Sequence, residues 1–234
     1  MPKIVKESKL NPNTATGEFL WRRIHSLTGI IPLGLFLIFH LSANNSAAKS
    51  PEAFNALVDL LRGLPYLELI EIIILGVPFL FHGLYGLVIT PAFARSKPLT
   101  YRRERNLAYF MQRITGIIAL IFIGVHVWQF RFAEELDFEF VASALRQPLW
   151  ALAYFVGITA IVYHFANGLW NFLISWGITV GGKAQKNSAI VCGGLGLIVW
   201  VIGMSALWAF FSSEPSSAAA SSAEHARCPG FNLN

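Results

Sequence analysis

The chain has 234 residues, of which 55% are hydrophobic and only 13% charged, and its mean hydropathy is +0.54. A soluble domain of this length cannot hide so much apolar surface, so a bilayer is its expected solvent. The net charge of +5 does not point to nucleic acid, because Lys and Arg collect at the ends of apolar runs, where they set topology. Of the two cysteines, Cys192 lies in an apolar segment and Cys228 in a polar tail, which excludes a disulfide framework or a CxxC metal site.

Residues 1–20 are polar, lack the apolar core of a signal peptide, and read as a cytoplasmic N-terminal segment. An all-α membrane domain is expected over 21–211, with five transmembrane helices at Ile24–Ala43, Leu67–Phe93, Leu107–Phe130, Leu149–Trp176 and Ala189–Phe211. Between the first and second spans, Pro51–Gly63 is amphipathic, and so is Glu134–Gln147 between the third and fourth. Each is expected to lie as a short interfacial helix that closes one end of the bundle. Residues 212–234, rich in Ser and Ala, lack the composition of a packed segment; His225 and Cys228 in this tail are read as plain tail residues rather than metal ligands.

Orientation follows from the basic residues. Lys3, Lys6, Lys9, Arg22 and Arg23 precede the first span, Arg95, Lys97, Arg102, Arg103 and Arg105 follow the second, and Lys183 and Lys186 follow the fourth. The opposite loops carry Glu52, Asp59, Glu134, Glu135, Asp137 and Glu139 against fewer cations. The predicted topology therefore places the N-terminus in the cytoplasm and the C-terminus outside.

An internal repeat organises the first four spans. T-G-I-I occurs at Thr28–Ile31 in the first and at Thr115–Ile118 in the third, and these spans end with His40 and His126. The second and fourth spans carry H-x-x-x-G-L at His82 and His164. The two hairpins are thus related in parallel, which implies a pseudo-two-fold axis along the membrane normal.

Ionisable groups at membrane depth are costly and functional by default. At about 1.5 Å per residue, His40 and His126 lie ~6 and ~7 Å from the outer ends of their helices, and His82 and His164 lie ~21 Å in. Four histidines thus fall on two levels, roughly 15 Å apart, and each level holds a pair that the repeat makes equivalent. Such pairs describe two bis-His haems stacked across the membrane. Zinc or copper would call for further ligands at the same depth. Gly29, eleven residues before His40, falls within about 20° of the same helix face, where a side chain would collide with a porphyrin; such glycines also allow close helix packing, and both uses can hold at once. Gly116 is its counterpart in the repeat. Arg22, Arg23 and Arg113 gather at the inner edge, where they suit haem propionates or topology alone. Residues alone leave open other dihaem membrane cytochromes, such as those of hydrogenases or formate dehydrogenases, and a transporter or anchor without redox chemistry.

W-R-R-I-H-S-L-T-G (Trp21–Gly29), F-H-G-L-Y-G-L (Phe81–Leu87), Q-R-I-T-G-I-I (Gln112–Ile118) and Y-H-F-A-N-G-L-W (Tyr163–Trp170) together resemble the type B cytochrome b subunit of succinate dehydrogenases and fumarate reductases. The resemblance spans about Trp21 to Phe211. It implies a five-helix subunit with two b haems, anchoring a flavoprotein and an iron–sulfur protein and exchanging electrons with a membrane quinone, commonly menaquinone. The family's axial ligands map onto His40 and His126 for the outer haem and His82 and His164 for the inner one. His25 maps to propionate contact rather than iron ligation. Some fumarate reductases of the family carry a Glu two residues before the fourth-span histidine; Val162 stands there, which favours succinate oxidation as the working direction.

Quinone reduction takes up protons, so its site calls for an ionisable group at the membrane edge. Glu71 fits, standing in the apolar run Leu67–Val77, eleven residues before His82 and so within about 20° of its face, pointing into the bundle; snorkelling or capping of the helix start is the alternative for this residue. Glu68 stands nearer the outer surface as a relay.

Overall fold

The computed structural model describes residues 12–89 and 103–215. Arg95, Lys97 and Arg102, the N-terminal lysines and the tail with His225 and Cys228 lie outside the described residues. Within them the chain is all-helical, and five helices are long and apolar enough to cross a membrane.

The first span, Gly17–Ala48, consists of α1 (Pro12–Ile30), α2 (Pro32–Asn44) and a 3₁₀ turn over Asn45–Ala48. Its break falls at Pro32, which has no N–H to donate to the Thr28 carbonyl and whose ring presses on it. The helix begins well before Ile24, because hydropathy marks the hydrocarbon core rather than the end of a helix that continues into the headgroups. Beyond this span, α3 (Pro51–Arg62) starts at Ser50, whose hydroxyl accepts the Ala53 N–H at 3.1 Å, with Pro51 in the first turn. Its backbone N–H and the Ser50 hydroxyl hold the Glu52 carboxyl below the usual carboxylate range.

The second span combines α4 (Leu67–Ile70), a π-helical turn over Glu71–Gly76, and α5 (Val77–Ile89). Pro78 follows that turn, and in an unbroken α-helix its ring would strike the Ile74 carbonyl; the wider turn removes the clash. No residue of α4, the π turn or α5 is buried. The third and fourth spans are unbroken: α6 (Arg103–Phe130) and α8 (Pro148–Ser175) each have 28 residues. Between them α7 (Phe138–Leu145) is capped by Asp137, whose carboxylate accepts the Phe140 N–H at 2.8 Å. The α8–α9 turn is framed by Gly177 and Gly181, both with positive φ (71° and 85°), and leads into α9 (Gly182–Ser212), the fifth span.

Helix α8 packs between α6 and α9, and α2 also packs on α9, meeting it with α8 at Gly203. Lipid offers no hydrophobic drive between helices, so close contact rests on small residues. A Cβ at Gly196 would stand 2.7 Å from that of Ala166, and one at Gly203 would stand 3.0 Å from Ile158. The fifth helix therefore braces α2 and α8 from outside the four histidine-bearing spans.

Both predicted interfacial segments form helices, and they meet. Asn55 of α3 accepts the Phe138 N–H of α7 at 2.7 Å, and Arg62 donates to the carbonyls of Ala133 and Glu134. Phe54, Phe138 and Phe210 bring α3, α7 and the end of α9 into one aromatic cluster, with ring centroids 5.1–6.2 Å apart. Phe54 is 4% exposed and Leu60, on the same helix, 66%. Phe54→Ala is expected to destabilise the fold by about 3 kcal/mol or more, and Leu60→Ala by less than about 0.5 kcal/mol. Thermal unfolding of the detergent-solubilised protein measures both, and equal shifts would show that the cluster does not hold this end together.

Candidate cofactor site

Each of the first four spans contributes one histidine to one of two pairs, and the first also carries His25. His82 of α5 and His164 of α8 have ring centroids 6.2 Å apart at an interplanar angle of 89°. His40 of α2 and His126 of α6 stand 5.5 Å apart at 78°. A metal ion bonded at ~2.0 Å to one nitrogen of each ring would separate two opposed imidazole centroids by roughly 6 Å. Among the described residues no group of three or more His, Cys, Asp or Glu side chains is placed to share one ion. The donor set at each level is thus a pair of imidazoles, which fits a metal whose remaining ligands come from a macrocycle.

The inner pair is built by the repeat. His82 Nδ1 lies 2.9 Å from the His25 carbonyl of α1, and His164 Nδ1 lies 3.0 Å from the Gln112 carbonyl of α6. A carbonyl only accepts, so each Nδ1 carries the proton and each Nε2 carries the lone pair a metal would need; at His164 the Gln112 amide stands 3.4 Å from that nitrogen. These carbonyls are reachable because the residue one turn later is Gly29 or Gly116. A Cβ at Gly29 would stand 2.3 Å from His82 Cε1, and one at Gly116 would stand 2.8 Å from His164 Cε1. The same reciprocity holds in the other direction. A Cβ at Gly86, four residues after His82, would meet His25 Nε2 at 3.1 Å, and one at Gly168, four after His164, would meet Gln112 Nε2 at 3.2 Å. The T-G and H-x-x-x-G-L motifs are therefore two halves of one interlock, made twice.

Of the two readings of Gly29 and Gly116, close helix packing has its partner here: the group a side chain there would strike is the imidazole of the neighbouring helix. His25 stacks on His82, with centroids 4.1 Å apart and planes 7° from parallel. On the repeat-related side, Gln112 donates to the His164 carbonyl at 3.1 Å and accepts from Asn167 at 2.6 Å. Thr28 and Thr115 turn their hydroxyls back onto their own helices, Thr28 to the His25 carbonyl and Thr115 to that of Met111.

The outer pair is made differently. His126 sits among Phe122, Phe130 and Tyr154, with centroids 5.6–6.0 Å away, and Phe36 stacks on His40. His126 Nδ1 is 3.1 Å from the Tyr154 hydroxyl, which donates to Gln129 Oε1 at 3.0 Å. Asn44 holds the His40 carbonyl at 2.8 Å.

The basic candidates at the inner edge all have partners. Arg22 pairs with Glu18 at 2.7 Å on the surface, a contact weak enough to exchange. Arg23 lies over the rings of Phe19 and Trp176, at 4.8 and 4.9 Å, and Arg113 lies over Tyr109 at 3.9 Å. Glu71 departs from its expected setting. The π turn between it and His82 holds more residues per turn than an α-helix, so an eleven-residue phase count does not carry across. Its carboxylate instead meets Arg131, in the turn just after α6, at 2.7 Å, with Glu68 at 4.0 Å from the same guanidinium.

Sequence reasoning left Gln112, Asn167, Gln129 and Tyr154 without roles. Gln112 was legible in principle, since it precedes Thr115 by the three residues that separate His25 from Thr28. Nothing in the sequence marks Tyr154.

Residues 96–203 match the family described as the succinate dehydrogenase/fumarate reductase transmembrane subunit. The succinate dehydrogenase cytochrome b558 subunit of Bacillus subtilis is 41% identical over 202 residues, covering 82% of this chain and 97% of that protein. The chain belongs to this family. A second relative, the succinate dehydrogenase hydrophobic membrane anchor subunit of Thermoplasma acidophilum, is 29% identical over 100 residues, 42% of this chain and 76% of that protein. In this family member the interlock makes a sharp distinction among glycines. Gly29→Ala is expected to destabilise the bundle by about 1–3 kcal/mol through overpacking against His82. Gly124→Ala, with nothing within 4 Å of its added Cβ, is expected to stay within about 0.5 kcal/mol of the parent. Thermal unfolding in detergent reads both; equal shifts would mean that the α1–α5 approach is not a constraint.

Proposed function

We propose that this chain is the membrane-anchor cytochrome b subunit of a succinate:quinone oxidoreductase, holding one b haem between His40 and His126 and a second between His82 and His164. When bound, a b haem supplies one-electron chemistry, which links the succinate chemistry of a soluble flavoprotein and an iron–sulfur subunit to a membrane quinone, menaquinone in this reading. The observation that supports the proposal is the protonation state imposed on the inner pair: both Nδ1 atoms are spent on backbone carbonyls, which leaves Nε2 as the lone-pair nitrogen of each ring, with the Gln112 amide 3.4 Å from that of His164.

The remaining residues take supporting parts. His25 lies against His82 as an orienting ring, and Arg22, the most exchangeable of the inner-edge cations, suits a propionate. The end that carries Arg22, Arg23, Arg113, Lys183 and Lys186 is the cytoplasmic one and the docking side for the soluble subunits. The opposite end carries Glu68, Glu71, Glu134, Glu135, Asp137 and Glu139. Val162 is 3% exposed and offers no protonatable group beside His164, which supports succinate oxidation as the direction.

Reduced-minus-oxidised spectra with haem quantitation on the four single histidine variants test the pairing. Replacing His82 or His164 is expected to remove one spectral component, and replacing His40 or His126 the other. Loss of the same component from the His40 and His164 variants would sink the assignment, and a haem-free parent would sink the whole reading.

Glu71 is proposed to exchange protons with the quinone at the outer edge, with Arg131 holding its carboxylate in place. Glu71→Gln is expected to keep both haems and succinate oxidation with artificial acceptors while losing most quinone reduction. A Gln variant that reduces quinone at the parental rate would move the site elsewhere.

A further inference from the structure

The inner and outer histidine pairs differ in what receives their Nδ1 protons. In the inner pair both acceptors are main-chain carbonyls, which no side-chain substitution at the acceptor residue removes. In the outer pair His126 Nδ1 faces a side chain, the Tyr154 hydroxyl, at 3.1 Å. Tyr154 is 6% exposed and stands among Phe122, Phe130 and His126. Among the described residues its hydroxyl is the one group placed to hydrogen-bond that ring.

The direction of this bond is determined by Gln129. A phenol has one proton, and Tyr154 donates it to Gln129 Oε1 at 3.0 Å. Its lone pairs are then left for His126, whose Nδ1 must be the donor. Gln129 follows His126 by three residues on α6, so both lie on the helix face that Tyr154 reaches from α8. The three side chains form a short directed relay: imidazole to phenol, phenol to amide.

We propose that Tyr154, oriented by Gln129, is a positioning residue that sets the donor strength of His126 and, through it, the reduction potential of the outer haem. This rests on the dihaem reading above. An imidazole that donates its Nδ1 proton in a hydrogen bond is a more basic ligand at Nε2. A more basic axial ligand stabilises ferric over ferrous iron and lowers the potential, one of the levers open to a haem protein. The outer potential is thereby adjustable by a side chain, whereas the inner one is tied to the backbone.

The experiment is a redox titration, followed optically and by electron paramagnetic resonance, of the haem-loaded, assembled complex in three forms: parent, Tyr154→Phe and Gln129→Leu. Tyr154→Phe is expected to retain both haems, to raise the midpoint potential of the component lost in His126 variants, and to leave the other component in place. Gln129→Leu is expected to move the same component in the same direction by less, because the phenol remains. Unchanged potentials in a Tyr154→Phe complex that keeps both haems would overturn the proposal, as would a shift confined to the component lost in His82 variants. Where Tyr154→Phe fails to assemble, Gln129→Leu decides: a selective upward shift supports the relay and an unchanged potential overturns it. Failure of the underlying reading looks different, since the parent itself would then lack two b-type components.

Discussion

A helix carbonyl keeps a second lone pair after its i→i+4 hydrogen bond, but the side chain one turn on normally covers it. The inner site depends on uncovering that lone pair. Glycine at 29 and 116 bares the carbonyls of His25 and Gln112, and an imidazole from the neighbouring helix takes each one. In a bilayer the alternative is severe, because a polar N–H without a partner there has no water to turn to. A single such bond contributes only about 1 kcal/mol net, so its weight lies less in stability than in chemistry. It decides which ring nitrogen holds the proton and brings two helices close enough that neither imidazole can turn away.

Close approach at the inner level has consequences for the rest of the bundle. The second hairpin is made of two unbroken helices, whereas both spans of the first are bent, at Pro32 and before Pro78. From the interlocking glycine to the outer histidine the first span counts eleven residues and the third ten. The additional residue falls in the stretch that Pro32 breaks, and the break is what lets His40 still face His126 despite the extra rotation. The repeat is therefore strict where backbone meets imidazole and loose beyond it. That is why the outer pair has no carbonyl acceptors and relies on an aromatic surround and a tyrosine.

Much of this was legible in the residues. Span number, interfacial helices and the two histidine pairings follow from hydropathy, amphipathic patterning and a repeat, all of which are local or periodic signals. The meaning of Gly29 was not, because a glycine at the right depth clears space without saying for whom. Sequence depth offered a flat cofactor or close helix packing there, and the structure shows the imidazole that packs. Glu71 shows a second limit. Phase counting presumes 3.6 residues per turn, and the π turn before Pro78 breaks that presumption within one span. Tyr154 shows a third, since a lone aromatic in an apolar helix looks like packing until its hydroxyl is seen between His126 and Gln129.

The outer end combines rigid and exchangeable contacts, and the division follows burial. Phe54, Phe138 and Phe210 are nearly sealed and fix α3, α7 and α9 to one another. The Arg131–Glu71 pair lies at the edge of that cap, its side chains 41% and 33% exposed. With neither side chain enclosed, the pair is not fixed by packing. Arg131 follows His126 by five residues, in the turn that ends α6, and Glu71 begins the π turn on the second span. The contact therefore ties two spans together beside the outer pair without locking them. That combination suits the protonic role proposed for Glu71, since the guanidinium holds the carboxylate in place without enclosing it.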